Sequence, residues 1–92
     1  MKVVKITASW CMSCIIMNQT LKEVEEKYKP NYETIKLDYD MNKEEIEQYN
    51  IGNILPVYIK LDNNNKEIDR LIGEHSKKEL IEFLSNGGYL DV

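Results

Sequence analysis

Cys11 and Cys14 are the only cysteines of the chain and stand three residues apart. Thiols at that spacing suit redox or metal chemistry. As a structural staple the pair would do little, because so short a closed loop removes little entropy from the unfolded chain. A β-branched run, Val3, Val4, Ile6 and Thr7, precedes the cysteines and a helical pattern follows them, so Cys11 falls at a strand-to-helix junction. There its sulfur lies beside unpaired backbone N–H groups and the positive end of the helix dipole, which favour the thiolate, the nucleophilic form. Cys11 is therefore expected to be the attacking sulfur. Cys14, one helical turn later, can reach back to it from a more enclosed position, which suits a thiol that resolves a mixed disulfide. Met12 and Ser13 lie between the sulfurs and should help set the reduction potential.

The same two thiols could instead supply half of a tetrahedral zinc site. Two further ligands would be needed, and the chain offers no other cysteine and one remote histidine, His75. Such a site would have to draw on carboxylates or on a second chain. His75 itself reads as a loop residue beside the last helix. The acid pairs Glu25-Glu26 and Glu44-Glu45 read as solvated helix faces.

The elements that must position the thiols are legible in the pattern. Residues 2–8 form a strand suited to burial on both faces. From residue 12 to 28 the apolar positions Ile15, Ile16, Leu21, Val24 and Tyr28 recur at helical spacing, until Pro30 ends the pattern. Residues 32–39 alternate again as a strand, which makes a parallel strand-helix-strand unit. Asn42 can cap a short helix carrying Ile46 and Tyr49. After Pro56 the alternation of Val57, Ile59 and Leu61 with Tyr58 and Lys60, an asparagine-rich turn and the extended stretch 68–72 describe a hairpin. Ser76 and Glu79 form a capping box ahead of Leu80, Ile81, Phe83 and Leu84, and Gly87-Gly88 can end that helix. The tail, residues 89–92, is expected to be loose.

The predicted order is strand, helix, strand, helix, strand, strand, helix: an α/β fold with a mixed four-stranded sheet and three helices. The first strand should be central, between the second strand and the hairpin, so that the strand order is second, first, third, fourth. The 92 residues fit a single domain, residues 1–92. A net charge of −4 with interspersed signs leaves no basic stripe for a phosphate backbone, so nucleic acid is not an expected partner. No apolar run approaches the roughly 20 residues that span a bilayer, and the first residues lack a signal-peptide pattern. The cytoplasm is the expected address, with no membrane partner.

The segment Ala8-Ser9-Trp10-Cys11-Met12-Ser13-Cys14 resembles the active-site segment of the thioredoxin family, in which a Trp precedes a Cys-x-x-Cys motif at a strand-to-helix junction. Ile35-Lys36-Leu37-Asp38 is similar to that family's following strand. Tyr49-Asn50-Ile51-Gly52-Asn53-Ile54-Leu55-Pro56 resembles the approach to its cis-proline, and Gly73 with residues 76–84 resembles the glycine after the hairpin and the closing helix. The resemblance covers nearly the whole chain but lacks the extra N-terminal strand and helix of ordinary thioredoxins. It implies a cis Leu55-Pro56 bond facing the thiols, a Leu55 backbone that can pair with an extended substrate, and Trp10 on the docking surface; Met12 and Ile15 would make the rim around the sulfurs more apolar, which fits docking of protein segments. Trp10 could equally be a core aromatic, and Met12 a helix residue with no role.

By the same resemblance the protein reduces protein disulfides through Cys11 and Cys14, binds no cofactor, is reset by a thioredoxin-reductase-like donor, and works as a monomer. A glutathione-coupled, glutaredoxin-like enzyme shares the short fold, but Ile54-Leu55-Pro56 and a single Gly73 fit that pattern less well. The departures from thioredoxins concern tuning. Lys5 occupies the place of a buried acid, Ser13 that of a proline, Ile15 that of a basic residue, and Gln19 that of a helix-kinking proline. Lys5 could tune the thiols from a buried position or lie at the surface on a shifted strand.

Overall fold

The structure, a computed structural model, describes residues 1–91. Its central strand, β1 (Lys2–Thr7), has four consecutive buried residues, Val3 to Ile6, because helices cover both faces of the sheet. Helix α1 (Met12–Lys27) follows, then a two-residue strand β2 (Lys29–Pro30), β3 (Glu33–Asp38), a short helix α2 (Lys43–Glu47), β4 (Val57–Leu61), β5 (Glu67–Ile72), α3 (Lys77–Ser85) and a second two-residue strand β6 (Leu90–Asp91). The main sheet has the order β3-β1-β4-β5. Strand β1 runs parallel to β3 and antiparallel to β4, and β4 and β5 form the hairpin. This is the arrangement the pattern predicts, with β2 and β6 added.

Two apolar clusters lie on the two faces. On one, Val3 and Tyr58 of the sheet meet Met17, Leu21 and Val24 of α1 and Leu80, Phe83 and Leu84 of α3. On the other, Val4, Ile6, Val57, Ile59 and Leu61 meet Ile46 of α2, and this cluster extends to Ala8, Leu55, Cys11 and Cys14. Val4, Ile6 and Ile59 are wholly excluded from solvent. Each fully buried side chain of this size contributes about 1.5–3 kcal/mol. The thiols thus sit at the end of a core that fixes the strand and helix carrying them.

The capping box of α3 is formed: the Glu79 backbone N–H donates to Ser76 Oγ and the Ser76 N–H to Glu79 Oε1. The asparagine run is a turn, with Asn65 at φ 61° and Asp62 Oδ1 accepting from the N–H groups of Asn64 and Lys66.

Three expectations need correction. Asn42 precedes α2 without a side-chain cap; its Oδ1 accepts instead from the Asp38 N–H, closing the loop after β3. The tail is held rather than loose. Tyr89 is buried and its hydroxyl donates to the Leu61 carbonyl at 2.8 Å, while Leu90 and Asp91 pair with Pro30 and Lys29; Val92 lies outside the described residues. Glu25 is no solvated face residue, because it accepts from Lys5 Nζ at 3.1 Å and from the Tyr32 hydroxyl at 2.6 Å.

Candidate active site

The chain leaves β1 at Thr7, turns through Ala8 to Trp10 and enters α1 with Cys11 as its N-cap. An N-cap side chain normally supplies an oxygen to one of the free N–H groups of the first turn. Here the acceptor is sulfur: the Cys14 backbone N–H donates to Cys11 Sγ at 3.1 Å. No acid stands in the first turn of α1, so nothing there offsets the positive helix end. Both features put hydrogen-bond donors and the positive helix end at Cys11 Sγ.

Both thiols are free, and Cys14 is the more enclosed, 1% exposed against 8% for Cys11. Burial, and then the hydrogen bond to Cys11, push the Cys14 thiol from 9.0 up to about 12; a backbone hydrogen bond with Ala8 opposes this without cancelling it. The two sulfurs are chemically unequal although only one turn separates them. Cys11 Sγ accepts an N–H bond at the helix start, and Cys14 is the more enclosed thiol behind it.

Around the sulfurs the surface is apolar. Trp10 is 63% and Met12 68% exposed, with Ile15, Ile54 and Ile72 also open. Trp10 is therefore no core aromatic. Its indole Nε1–H donates to Asp40 Oδ2 at 2.6 Å, and its ring meets Tyr39 edge-on with centroids 6.2 Å apart. The loop that presents Asp40 is held by Asp38 Oδ1, which accepts from the N–H groups of Asp40 and Met41.

The Leu55-Pro56 bond is cis, and Leu55 packs in the same cluster as the two cysteines. The Gly73 N–H donates to the Pro56 carbonyl at 2.8 Å, and Gly73 has φ +83°, a conformation open to glycine. A side chain there would also meet Ile54. Thus Pro56 is joined to the residue that follows β5.

Lys5 is buried, which excludes the surface reading, but its ammonium turns to Glu25 on α1. Sequence reasoning missed Asn18, Tyr58, Glu25 and Asp40. Asn18 and Glu25 follow Cys14 by four and eleven residues, so all three share one face of α1. Asn18 Oδ1 accepts from the hydroxyl of buried Tyr58 at 3.1 Å. Burial, and then the neighbouring charges of Cys14 and Glu25, push that phenol up. The i,i+4 spacing was the available signal for Asn18; nothing local marked Tyr58.

Among the described residues no group of three or more His, Cys, Asp or Glu side chains is placed to hold a metal ion, and no helix is long and apolar enough to cross a membrane. The Thioredoxin family model matches residues 1–86. The chain belongs to the thioredoxin family. It is 29% identical over 79 residues to the thioredoxin of Rickettsia bellii, covering 86% of this chain and 73% of that one. The thioredoxin of Listeria monocytogenes is 28% identical over 78 residues, 85% of this chain and 74% of the other. Among solved structures, the reduced thioredoxin pre-protein of Schistosoma mansoni superposes with a TM-score of 0.77 at 27% identity, over 92% of this chain and 76% of that chain. A malaria-parasite thioredoxin-2 shares the fold, with a TM-score of 0.80 at 22% identity over 92% of this chain and 81% of that one.

This thioredoxin-family protein is accordingly a thiol-disulfide oxidoreductase with the thioredoxin fold, an enzyme acting on protein disulfides. Nothing favours the glutathione-coupled alternative.

Proposed function

We propose that the protein, acting as a single domain of residues 1–92, reduces protein disulfides through Cys11 as nucleophile and Cys14 as resolving thiol. The observation that carries this division of labour is the hydrogen bond from the Cys14 N–H to Cys11 Sγ beside a buried Cys14 thiol. The Cys11 thiolate attacks one sulfur of the substrate disulfide, an intermolecular S–S bond forms, and the other substrate sulfur leaves and takes a proton. Cys14 then gives up its proton and attacks Cys11 Sγ. The Cys11–Cys14 bond forms, the second substrate sulfur leaves, and two electrons have passed to the substrate.

Trp10, Met12, Leu55 and Pro56 receive the substrate segment. Exposure of the Trp10 and Met12 side chains supports this, as does the cis Leu55-Pro56 bond, Leu55 packing in the same cluster as the thiols. Ser13, between the sulfurs, and Lys5, the buried cation next to Tyr58 in the sheet register, tune the thiols. A thioredoxin-reductase-like flavoprotein restores the dithiol, the protein itself holding no metal or cofactor. It works as a monomer in the cytoplasm, without nucleic-acid or membrane partners.

The test is the reduction potential of the Cys11/Cys14 pair, titrated in redox buffers and read by thiol alkylation and mass. A value near about −270 mV supports the general reductant; one near about −120 to −200 mV would assign an oxidising or glutathione-coupled role instead.

A further inference from the structure

The strongest unassigned feature is a groove between α1 and the β1-β3 side of the sheet. It has a volume of about 460 Å³ and is lined by Lys5, Thr7, Asn18, Leu21, Lys22, Glu25 and Lys36. That is within the usual size of a small-ligand site. Apart from Leu21 its lining is polar or charged. Lys36 is the register partner of Lys5, and β3 is an edge strand, so the groove lies along the open edge of the sheet.

The charge there runs against that of the chain. The protein carries 16 acids against 12 bases, yet three lysines and one acid line the groove, a surplus of two positive charges. The single acid is already engaged: Glu25 Oε2 accepts from both Lys5 and Tyr32. Among the described residues Lys22 and Lys36 form no ion pair. Asn18 Oδ1 already accepts from the Tyr58 hydroxyl, its amide N–H₂ supplies two donors, and Thr7 adds a hydroxyl.

Lys5 is the buried part of this arrangement, held by Glu25 and lying near the Tyr32 ring. Its side chain is 8% exposed, and burying an ammonium costs several kcal/mol unless it is paired. One of its three N–H donors goes to Glu25. The groove thus combines a buried cation paired with Glu25, two lysines without an ion pair, an amide and a hydroxyl, with a surplus of positive charge. We propose that it binds a small phosphate-bearing dianion, with Lys22 and Lys36 closing on the phosphate over Lys5. A long polyanion such as nucleic acid is disfavoured because the chain as a whole carries a net charge of −4.

The test is titration of the full chain with inorganic phosphate and with adenosine 5′-monophosphate at constant ionic strength, followed by ¹⁵N–¹H amide shifts. Saturable shifts centred on Lys5, Asn18, Lys22 and Lys36 are expected, weakened about tenfold or more in Lys22→Glu/Lys36→Glu. The single variant Lys22→Ala, at an exposed position, should weaken binding by a smaller factor and keeps the test open should the double variant misfold. Shifts that do not saturate, that sodium chloride reproduces, or that survive in the variants would overturn the proposal. None of these readouts depends on thiol chemistry.

Discussion

The backbone N–H of Cys14 donates to Cys11 Sγ at 3.1 Å, so the nucleophile caps the helix and the resolving residue supplies the hydrogen bond to it. Replacement of either cysteine should therefore give different failures. Cys11→Ser should reduce a protein disulfide no faster than buffer. Cys14→Ser keeps the backbone donor and should accumulate a mixed disulfide with substrate, visible as an adduct by intact mass. Full activity of Cys11→Ser would assign attack to the other sulfur.

The Cys14 thiol stands at about 12, raised by burial first and by Cys11 second. Below that value its thiolate fraction rises about tenfold per pH unit. Reaction with an aromatic disulfide such as DTNB releases two thiolates in sequence, one by each cysteine. In the mixed disulfide Cys11 no longer bears charge but the burial of Cys14 remains, so the second phase should keep accelerating from pH 6 to 9, without levelling. A plateau inside that range would mean that the thiol ionises more easily than its surroundings indicate.

Lys5 and Glu25 are unequally enclosed, their side chains 8% and 24% exposed. Glu25→Gln removes the acid from beside the more buried ammonium and should cost about 1–3 kcal/mol in urea unfolding. Lys5→Met leaves a carboxylate that solvent can reach and still bonded to Tyr32, so its cost should be clearly smaller. Equal costs would show that the pair acts through charge alone.

His75 Nδ1 lies 3.2 Å from Glu79 Oε2 and Nε2 lies 2.9 Å from the Ile72 carbonyl, an arrangement that suits the imidazolium. Glu79 first, and the Ile72 carbonyl in support, raise the histidine above 6.5. Its stabilisation is therefore complete below pH 6.5 and lost as pH rises through the higher folded value. Glu79, held down to about 2 by the Ser76 N–H and by His75, contributes above pH 4.5 and loses this as pH falls towards 2. Both are present from pH 4.5 to 6.5. His75→Gln should remove a gain of about a few tenths of a kcal/mol at pH 5.5 and change little at pH 9, by thermal melts at the two values.

Tyr89 is 1% exposed and its hydroxyl reaches Leu61, 28 residues away. Tyr89→Ala should destabilise by roughly 3–5 kcal/mol, and Tyr89→Phe by about 1 kcal/mol for the lost hydrogen bond. A near-neutral Tyr89→Ala would restore the picture of a loose tail.

What the sequence by itself determined is what depends on neighbours along the chain. A β-branched run, two thiols three apart and a helical repeat place Cys11 at a helix start, and Ser76 with Glu79 writes the capping box, since both are short-range backbone geometry. The hairpin and the strand order follow from alternation and connection rules. The tertiary structure decided where long side chains and distant segments end. Lys5 interrupts a run suited to burial on both faces, and only the approach of α1 reveals that it pairs with Glu25, twenty residues on. Lys60 reads as an outward polar position of β4, but α3 covers that face, and its ammonium donates to the Phe83 and Asn86 carbonyls. Tyr58, Asn18 and the held tail are of the same kind. Their partners are brought close by packing of the sheet and helices, and no local spacing encodes that meeting.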